Sequence, residues 1–378
     1  MARTPRNDVA IYTPSAMTAG LYDRARGRAG GAERQMVLLA RALAERGRRV
    51  AHVVHAPQDL VSLSSDRLSL VYRAPYVGDR RGGGFREAAR VWRALEAADA
   101  RTVVLRTASP MLAVASLYCA LHRRALIFST ANNYELTFET MAKRHHRQLL
   151  YRLGVRLADA IVVQSKEQLE LARQAFSRSD TVVHIPSFVE IPGTSATSPE
   201  PATAFLWVGR LIGYKRPMHY VELAREVPEA RFVMIPSPQG ADPADVVELR
   251  NAAGEVPNLE LLDPIPHAQL MELLARSVAV VNTSSLEGVP NAFLEAWVHG
   301  VPALTFEFDP DGVIARHDLG IAAEGSWEQF VAGARSLWRD RADRRAVASR
   351  VQQYALETHS PERVGALWDE LLTAIAPR

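Results

Sequence analysis

Cysteine is almost absent: the 378 residues hold one, Cys119, so no disulfide can form within the chain. It lies in the apolar run "MLAVASLYCALH", where a buried structural thiol is expected, and this usage suits a reducing cytosol. Long hydrophobic runs are missing too. No stretch approaches about 18 uncharged apolar residues, and "MARTPRNDVAIYTPSAM" carries charge with no apolar region before a cleavage site. The expectation is a chain neither secreted by that route nor spanning a membrane. Nicotinamide chemistry is disfavoured as well. "GRAGGAER" lacks the Gly-x-Gly-x-x-Gly spacing, and the run "RVAHVVHAP" ends without the acid that would hold a dinucleotide ribose.

Metal-ligand clusters are equally scarce. Asp309 and Asp311 form an Asp-x-Asp pair in "FDPDG", but this reads as a Pro-Asp-Gly turn after a strand. His52 and His55 point to opposite faces of one strand, and the adjacent His145 and His146 diverge on a helix. No resident metal and no cofactor are expected.

What is present is a large apolar fraction, 48%, against 23% charged residues. The length exceeds what one core normally serves, so two domains of about 180 residues are the default. Charge divides unevenly between the halves. Residues 1–190 hold 29 Lys+Arg against 17 Asp+Glu, a balance of +12, and residues 191–378 hold 16 against 25, or −9. Such a split points the first half towards something anionic.

Short β-rich apolar runs alternate with helix-length amphipathic segments along the whole chain. In the first half the runs are 9–15, 49–57, 68–75, 102–109, 125–132, 160–165 and 181–187; in the second they are 205–209, 231–237, 259–265, 278–284 and 301–307. Helices are expected at 217–226, 242–253, 267–276 and 290–299 and through most of the last fifty residues, where Pro361 can open the final one. Near-continuous apolar strands separated by helices predict parallel sheets covered on both faces. The fold class is therefore α/β, with two Rossmann-like doubly wound parallel-sheet domains facing across a cleft. The boundaries are 1–190 for the first domain, 191–204 for a Pro/Ser/Thr-rich linker, 205–358 for the second domain and 359–378 for a terminal helix.

Ligands of such sheets sit beyond the C-terminal strand ends. There "SSLEGVPNAFLEAWVHGVPAL" leaves a strand, turns through Gly288, Val289 and Pro290, and enters a helix at Asn291, with Glu287 before the turn and Glu295 in the second helical turn. A helix N-terminus offers free N–H groups to a phosphate. Carboxylates beside that phosphate need another partner, and sugar hydroxyls supply one. The bland alternative is an acid favoured near a helix start and a solvated helix residue. "FLWVGRLIGYKRP" adds Arg210 at a strand end and Lys215 five residues on, two cations suited to a diphosphate.

These two segments resemble the retaining glycosyltransferases of the GT-B fold, family 4, a resemblance that extends to "GGAER" at 30–34 and to "SPERVGALWDELL" near the end. It implies a nucleotide diphosphate sugar donor, UDP- or GDP-linked, with Glu287 on hydroxyls of the transferred sugar, Glu295 on the ribose, and Arg210 and Lys215 on the diphosphate. Gly30 and Gly31 would let the backbone approach the donor phosphates or the acceptor, and the last helix would cross back onto the first domain. The departing phosphate would take the acceptor proton, without metal. Where many relatives carry a histidine in a first-domain loop, "FSTANNYEL" offers Asn132 and Asn133 as acceptor-side candidates.

The segment 138–160 reads as one helix carrying Lys143, Arg144, Arg147, Arg152 and Arg156 beside Leu149, Leu150, Leu153 and Leu157. A solvated face is the commoner explanation. With "RARGR" at 24–28 and Arg80, Arg81 and Arg86, contact with anionic lipid headgroups or a lipid diphosphate acceptor is favoured over nucleic acid, for which no recognition motif is present. The expectation is a cytoplasmic enzyme, or one peripheral on the inner membrane face, that glycosylates a hydroxyl of a lipid-linked or polysaccharide glycan. A hydrolase using the two glutamates, a sugar-nucleotide epimerase of related fold, and a non-catalytic nucleotide-sugar binder are the alternatives.

Overall fold

The computed structural model describes residues 5–13, 18–22, 30–55, 66–73, 83–106, 108–137, 145–176, 179–192, 202–343 and 345–375. The chain divides into two compact units, Met1–Phe188 with Pro361–Arg378, and Val189–Ser360. "RARGR", Arg80, Arg81, Lys143, Arg144 and most of the expected linker lie outside the described residues.

In the first unit the order is β1 (Asn7–Tyr12), α1 (Gly31–Glu45), β2 (Val50–His55), β3 (Leu68–Arg73), α2 (Gly83–Ala98), β4 (Ala100–Arg106), α3 (Met111–His122), β5 (Ala125–Ser129), α4 (Tyr134–Thr137), α5 (His145–Leu157), β6 (Ala160–Val163), α6 (Lys166–Phe176) and β7 (Val182–His184). The seven strands lie in the order β3-β2-β1-β4-β5-β6-β7, all parallel. Every residue of β5 is buried, as its unbroken apolar sequence requires when helices cover both faces of a sheet. Val91 and Leu95 of α2, Leu112 and Ala115 of α3, and Tyr151 and Val155 of α5 share one core with the sheet; Met36, Leu39 and Leu43 of α1 build another.

The second unit runs β8 (Ala204–Arg210), a single 3-10 turn (Gly213–Lys215), α7 (Pro217–Glu226), β9 (Phe232–Ser237), α8 (Pro243–Gly254), β10 (Leu259–Leu261), α9 (His267–Ala275), β11 (Ser277–Asn282), α10 (Asn291–Val298), β12 (Ala303–Thr305), α11 (Val313–Arg316), β13 (Gly320–Ala322), α12 (Trp327–Arg339) and α13 (Arg345–His359). Its six strands lie in the order β10-β9-β8-β11-β12-β13, again all parallel. The chain moves outward from β8 to one edge, then returns to lay β11 on its other side. The C-terminal ends of β8 and β11 therefore form the switch point of this sheet, where open α/β sheets place ligands.

The last helix, α14 (Pro361–Ala374), belongs to the first unit. Val364, Trp368 and Leu372, four apart, turn one stripe into the core built by α1. Burying each contributes on the order of 2 kcal/mol. Gly365 permits the approach: a Cβ there would stand 3.2 Å from the Ala42 methyl. Arg48 adds hydrogen bonds at 2.6 Å to the Asp369 carboxylate and at 2.6 Å to the Thr373 hydroxyl.

Three sequence expectations need correction. The helix expected over 138–160 is described as helix only at His145–Leu157, and Ala160 already belongs to a strand. Asp159 ends it, because its carboxylate and its backbone N–H both bond to Leu126 of β5 and fix the chain in sheet register. The apolar runs also overestimate strand length, as in Ala303–Thr305 against 301–307, since Pro302 and Phe306 each keep a single backbone bond to β11 without extending the strand. Finally, β13 and α11 carried no period long enough to be read, being three and four residues long.

Candidate functional site

At the switch point of the second unit, β8 delivers Arg210 as its last residue and the following 3-10 turn delivers Lys215. The loop after β11 delivers Glu287. The two loops are stapled through their backbones: Ser285 N–H donates to Tyr214 C=O at 2.9 Å, and the Thr283 hydroxyl donates to Lys215 C=O at 2.6 Å. Trp207 of β8 in turn donates its indole N–H to that hydroxyl at 3.0 Å. A buried indole so used fixes the loop that carries Glu287 against the loop that carries Lys215.

Lys215 Nζ and a Glu287 carboxylate oxygen form an ion pair, and the Ser284 hydroxyl donates to the same oxygen at 2.8 Å. Arg210 lies more open to solvent, its guanidinium 3.4 Å from the Tyr214 hydroxyl, and Lys215 Nζ is 5.8 Å from the centre of the Tyr214 ring. Tyr214 thus stands against both cations. Four residues beyond Glu287, α10 begins with Pro290 at its N-cap and no side chain capping its first turn. Gly288 and Pro290 are buried, and Val289 is half-buried. The turn brings a positive helix end close behind a lysine and an arginine, a combination suited to a pyrophosphate.

Glu295 occupies the second turn of α10 and is held 3.1 Å from the His267 Nε2 at the start of α9. His267 approaches Glu295 from α9, whereas Lys215 approaches Glu287 from the turn after β8. Arg216, next to Lys215, pairs instead with Glu307 beyond β12. Asp309 accepts from the backbone N–H of Ile314 at 2.9 Å and Ala315 at 3.1 Å, so its carboxylate caps α11. Among the described residues no group of three or more His, Cys, Asp or Glu is placed to share a metal ion.

In the first unit Gly30 is the N-cap of α1 and Gly31 its first residue, both exposed, with no side chain capping the helix. A Cβ on Gly30 would stand 2.7 Å from Glu33 Oε2, so the carboxylate of Glu33 leans back over the glycine. Asn132 accepts from Glu135 N–H at 3.3 Å and so starts the short helix α4. Asn133 is buried, its side-chain oxygen without a protein partner.

Sequence reasoning missed a perturbed carboxyl nearby. Glu135, two residues past Asn133, is buried and accepts from Ala131 N–H at 2.7 Å and Ala108 N–H at 3.1 Å. Burial pushes its carboxyl up to about 7, against the opposing pull of those N–H groups and of Arg106. Arg106 is buried too, donates to the Ser129 hydroxyl at 3.0 Å, and is lowered to about 10 by desolvation. An acid inside the otherwise uncharged "STANNYELTF" was the available signal. Ser284 and His267 were missed as well; nothing in their sequence surroundings marks them. His52 is fully buried between the Thr13 and Tyr22 hydroxyls, and burial drives its ring down to about 3, whereas His55 pairs with Arg73. They share no ligand.

Two doubly wound parallel sheets, one bearing cations, carboxylates and an uncapped helix start at its switch point, define the GT-B class of sugar-handling proteins. The family model described as "Glycosyltransferase Family 4" matches residues 29–191, and "Glycosyl transferases group 1" matches 194–354. The chain belongs to the GT-B glycosyltransferases of family 4. It is similar to glycosyltransferase 1 domain-containing protein 1 of Xenopus tropicalis, at 29% identity over 121 residues; the match covers 32% of this chain and 35% of that protein, about a third of its length. Among solved structures, sucrose-phosphate synthase from Thermosynechococcus elongatus superposes with a TM-score of 0.75 at 15% identity, covering 98% of this chain and all of that one. Anabaena Alr3699/HepE in complex with UDP-glucose superposes with a TM-score of 0.71 at 15% identity, over 98% and 100% of the two chains. At such identities the likeness is one of fold.

Proposed function

We propose that the protein transfers a glycosyl group from a nucleotide diphosphate sugar to an acceptor hydroxyl with retention at the anomeric carbon. The observation that carries this reading is the meeting of Lys215 and Glu287, from loops after two adjacent strands, beside the uncapped start of α10. A donor's pyrophosphate takes over the charge of Lys215, joined by Arg210 and the helix N–H groups. Hydroxyls of the transferred sugar then donate to Glu287, and the ribose to Glu295. Each ionic partner lost on donor binding is thereby replaced.

As the glycosidic bond to phosphate breaks, negative charge grows on the departing oxygen, and the two cations with the helix dipole stabilise it. That phosphate oxygen accepts the proton of the attacking hydroxyl, which leaves charge neutralisation to side chains with no requirement for a metal. Gly30 and Gly31 let the backbone approach the donor phosphates or the acceptor, Asn132 and Asn133 are the acceptor-side candidates, and a lipid-linked or polysaccharide glycan is the acceptor class. UDP- or GDP-sugars are the donors, with UDP-glucose first to be tried given the complex of the Anabaena relative.

A thermal-shift screen over UDP-, GDP- and ADP-sugars tests the binding step, since a ligand at a hundred times its dissociation constant stabilises by about 2.7 kcal/mol. Incubation of the stabilising sugar with and without lipid and glycan extracts tests transfer. No shift with any nucleotide sugar, or sugar release as the main activity without acceptor, would end this reading.

A further inference from the structure

Helix α5 carries two apolar faces, and the first unit uses only one. Tyr151, Gly154 and Val155 face the core. Gly154 lies so close to α3 that a Cβ there would stand 2.7 Å from the backbone of Leu112 and Ala113, and its C=O accepts the Ser116 hydroxyl at 3.1 Å. This contact fixes the rotation of α5 about its axis. With that rotation Leu149, Leu150, Leu153 and Leu157 face outward, 68%, 42%, 47% and 41% exposed. Their spacing places them on one stripe of the helix. On the neighbouring α3, Leu117 and Leu121, one turn apart, are 55% and 66% exposed. Six of the eleven large apolar side chains exposed among the described residues belong to these two packed helices. Chance scatter over a surface does not concentrate leucines in this way.

The charged side chains on α3 and α5 themselves have one sign. Arg147, Arg152 and Arg156 are exposed, and at 3.6 residues per turn Arg152 and Arg156 run along one edge of the stripe with Arg147 on the other. Neither α3 nor α5 contains an Asp or Glu, and the exposed Arg123 follows α3 directly. A leucine stripe flanked by arginines is what a helix lying in a bilayer interface presents. No helix among the described residues is long and apolar enough to cross a membrane.

We propose that the α3–α5 face of the first unit docks on an anionic lipid bilayer, with the six leucines in the boundary between headgroups and acyl chains and the arginines on lipid phosphates. A second copy of the chain is the poorer occupant, because a symmetric contact through this face would press arginines against arginines. Nucleic acid would attract the arginines and leave the leucines in water. The proposal rests on residues separate from Lys215, Glu287 and α10, so it stands or falls independently of the donor reading.

The test is co-sedimentation of the full chain with vesicles of phosphatidylcholine alone and of phosphatidylcholine mixed equally with phosphatidylglycerol. Binding is expected on the mixed vesicles, weakening at high salt. Leu149→Gln with Leu153→Gln lowers the partition coefficient roughly tenfold or more, and Arg147→Gln with Arg152→Gln and Arg156→Gln lowers it by a similar factor on mixed vesicles only. All five side chains are exposed, and an unchanged far-UV spectrum and melting temperature verify folding. Binding of both variants at the wild-type level would overturn the proposal. So would wild-type binding that ignores phosphatidylglycerol, or vesicle-free dimerisation abolished by the leucine variant.

Discussion

Two glutamates, one in each unit, follow the C-terminal end of a parallel strand and are held in opposite ways. Glu135 in the first unit is anchored by backbone N–H groups of Ala108 and Ala131 and sits in the interior with Arg106. Glu287 in the second is anchored by side chains, Lys215 and Ser284, and keeps 12% of its own surface in solvent. Backbone donors cannot leave, so Glu135 is part of the scaffold of its loop. Side-chain donors can turn to a ligand, so Glu287 is positioned to exchange partners. The contrast teaches that the depth and the kind of anchoring, more than the presence of a carboxylate near a strand end, separate a structural acid from one available for chemistry.

The sharpest way to break this comparison is to truncate each glutamate. Glu135→Ala leaves the N–H groups of Ala108 and Ala131 buried without their acceptor, and it should lower stability by about 2 to 6 kcal/mol in denaturant titration. Glu287→Ala and Lys215→Ala should each leave the melting temperature nearly unchanged but cut transfer a hundredfold or more, about 3 kcal/mol of transition-state stabilisation. Wild-type turnover in both of those variants, with folding intact, would remove the site from the second unit.

A pH series sharpens the same contrast. The folded-state carboxyl of Glu135 is raised from 4.5 to about 7, so the folded protein holds a proton that the unfolded chain has already lost. Stability from this group is therefore fully present below about 4.5 and is lost as pH rises to about 7, by on the order of 3 kcal/mol. Glu135→Gln should flatten that part of the stability curve; an unchanged slope would mean that another group titrates there. The smallest effect is expected within the second unit. His267→Ala frees Glu295 of one partner and should change donor KM by about tenfold or less with kcat held, because the proposed reading gives Glu295 to the ribose and not to the breaking bond.

Much of this was open to inspection in the amino-acid order. Unbroken apolar runs such as "ALIFS" and "VAVVN" announced strands buried on both faces, and Pro361 marked the start of the last helix. Glu287 and Lys215 were recognisable from their loops, though not their pairing across 72 residues, which depends on β8 and β11 being sheet neighbours. Glu135 escaped notice because its carboxyl is unusual only through burial, and burial is a property of everything packed around it.

Composition and local pattern determined the elements, their parallel arrangement and which loops carry charge, since these follow from periodicity and turn chemistry within short windows. Tertiary structure alone decided which charged residues meet, which are sealed in, and that the leucines of α5 face outward; Gly154 sets that rotation through contact with α3. A helix with apolar residues on two faces has no preferred side until a neighbour packs against one of them.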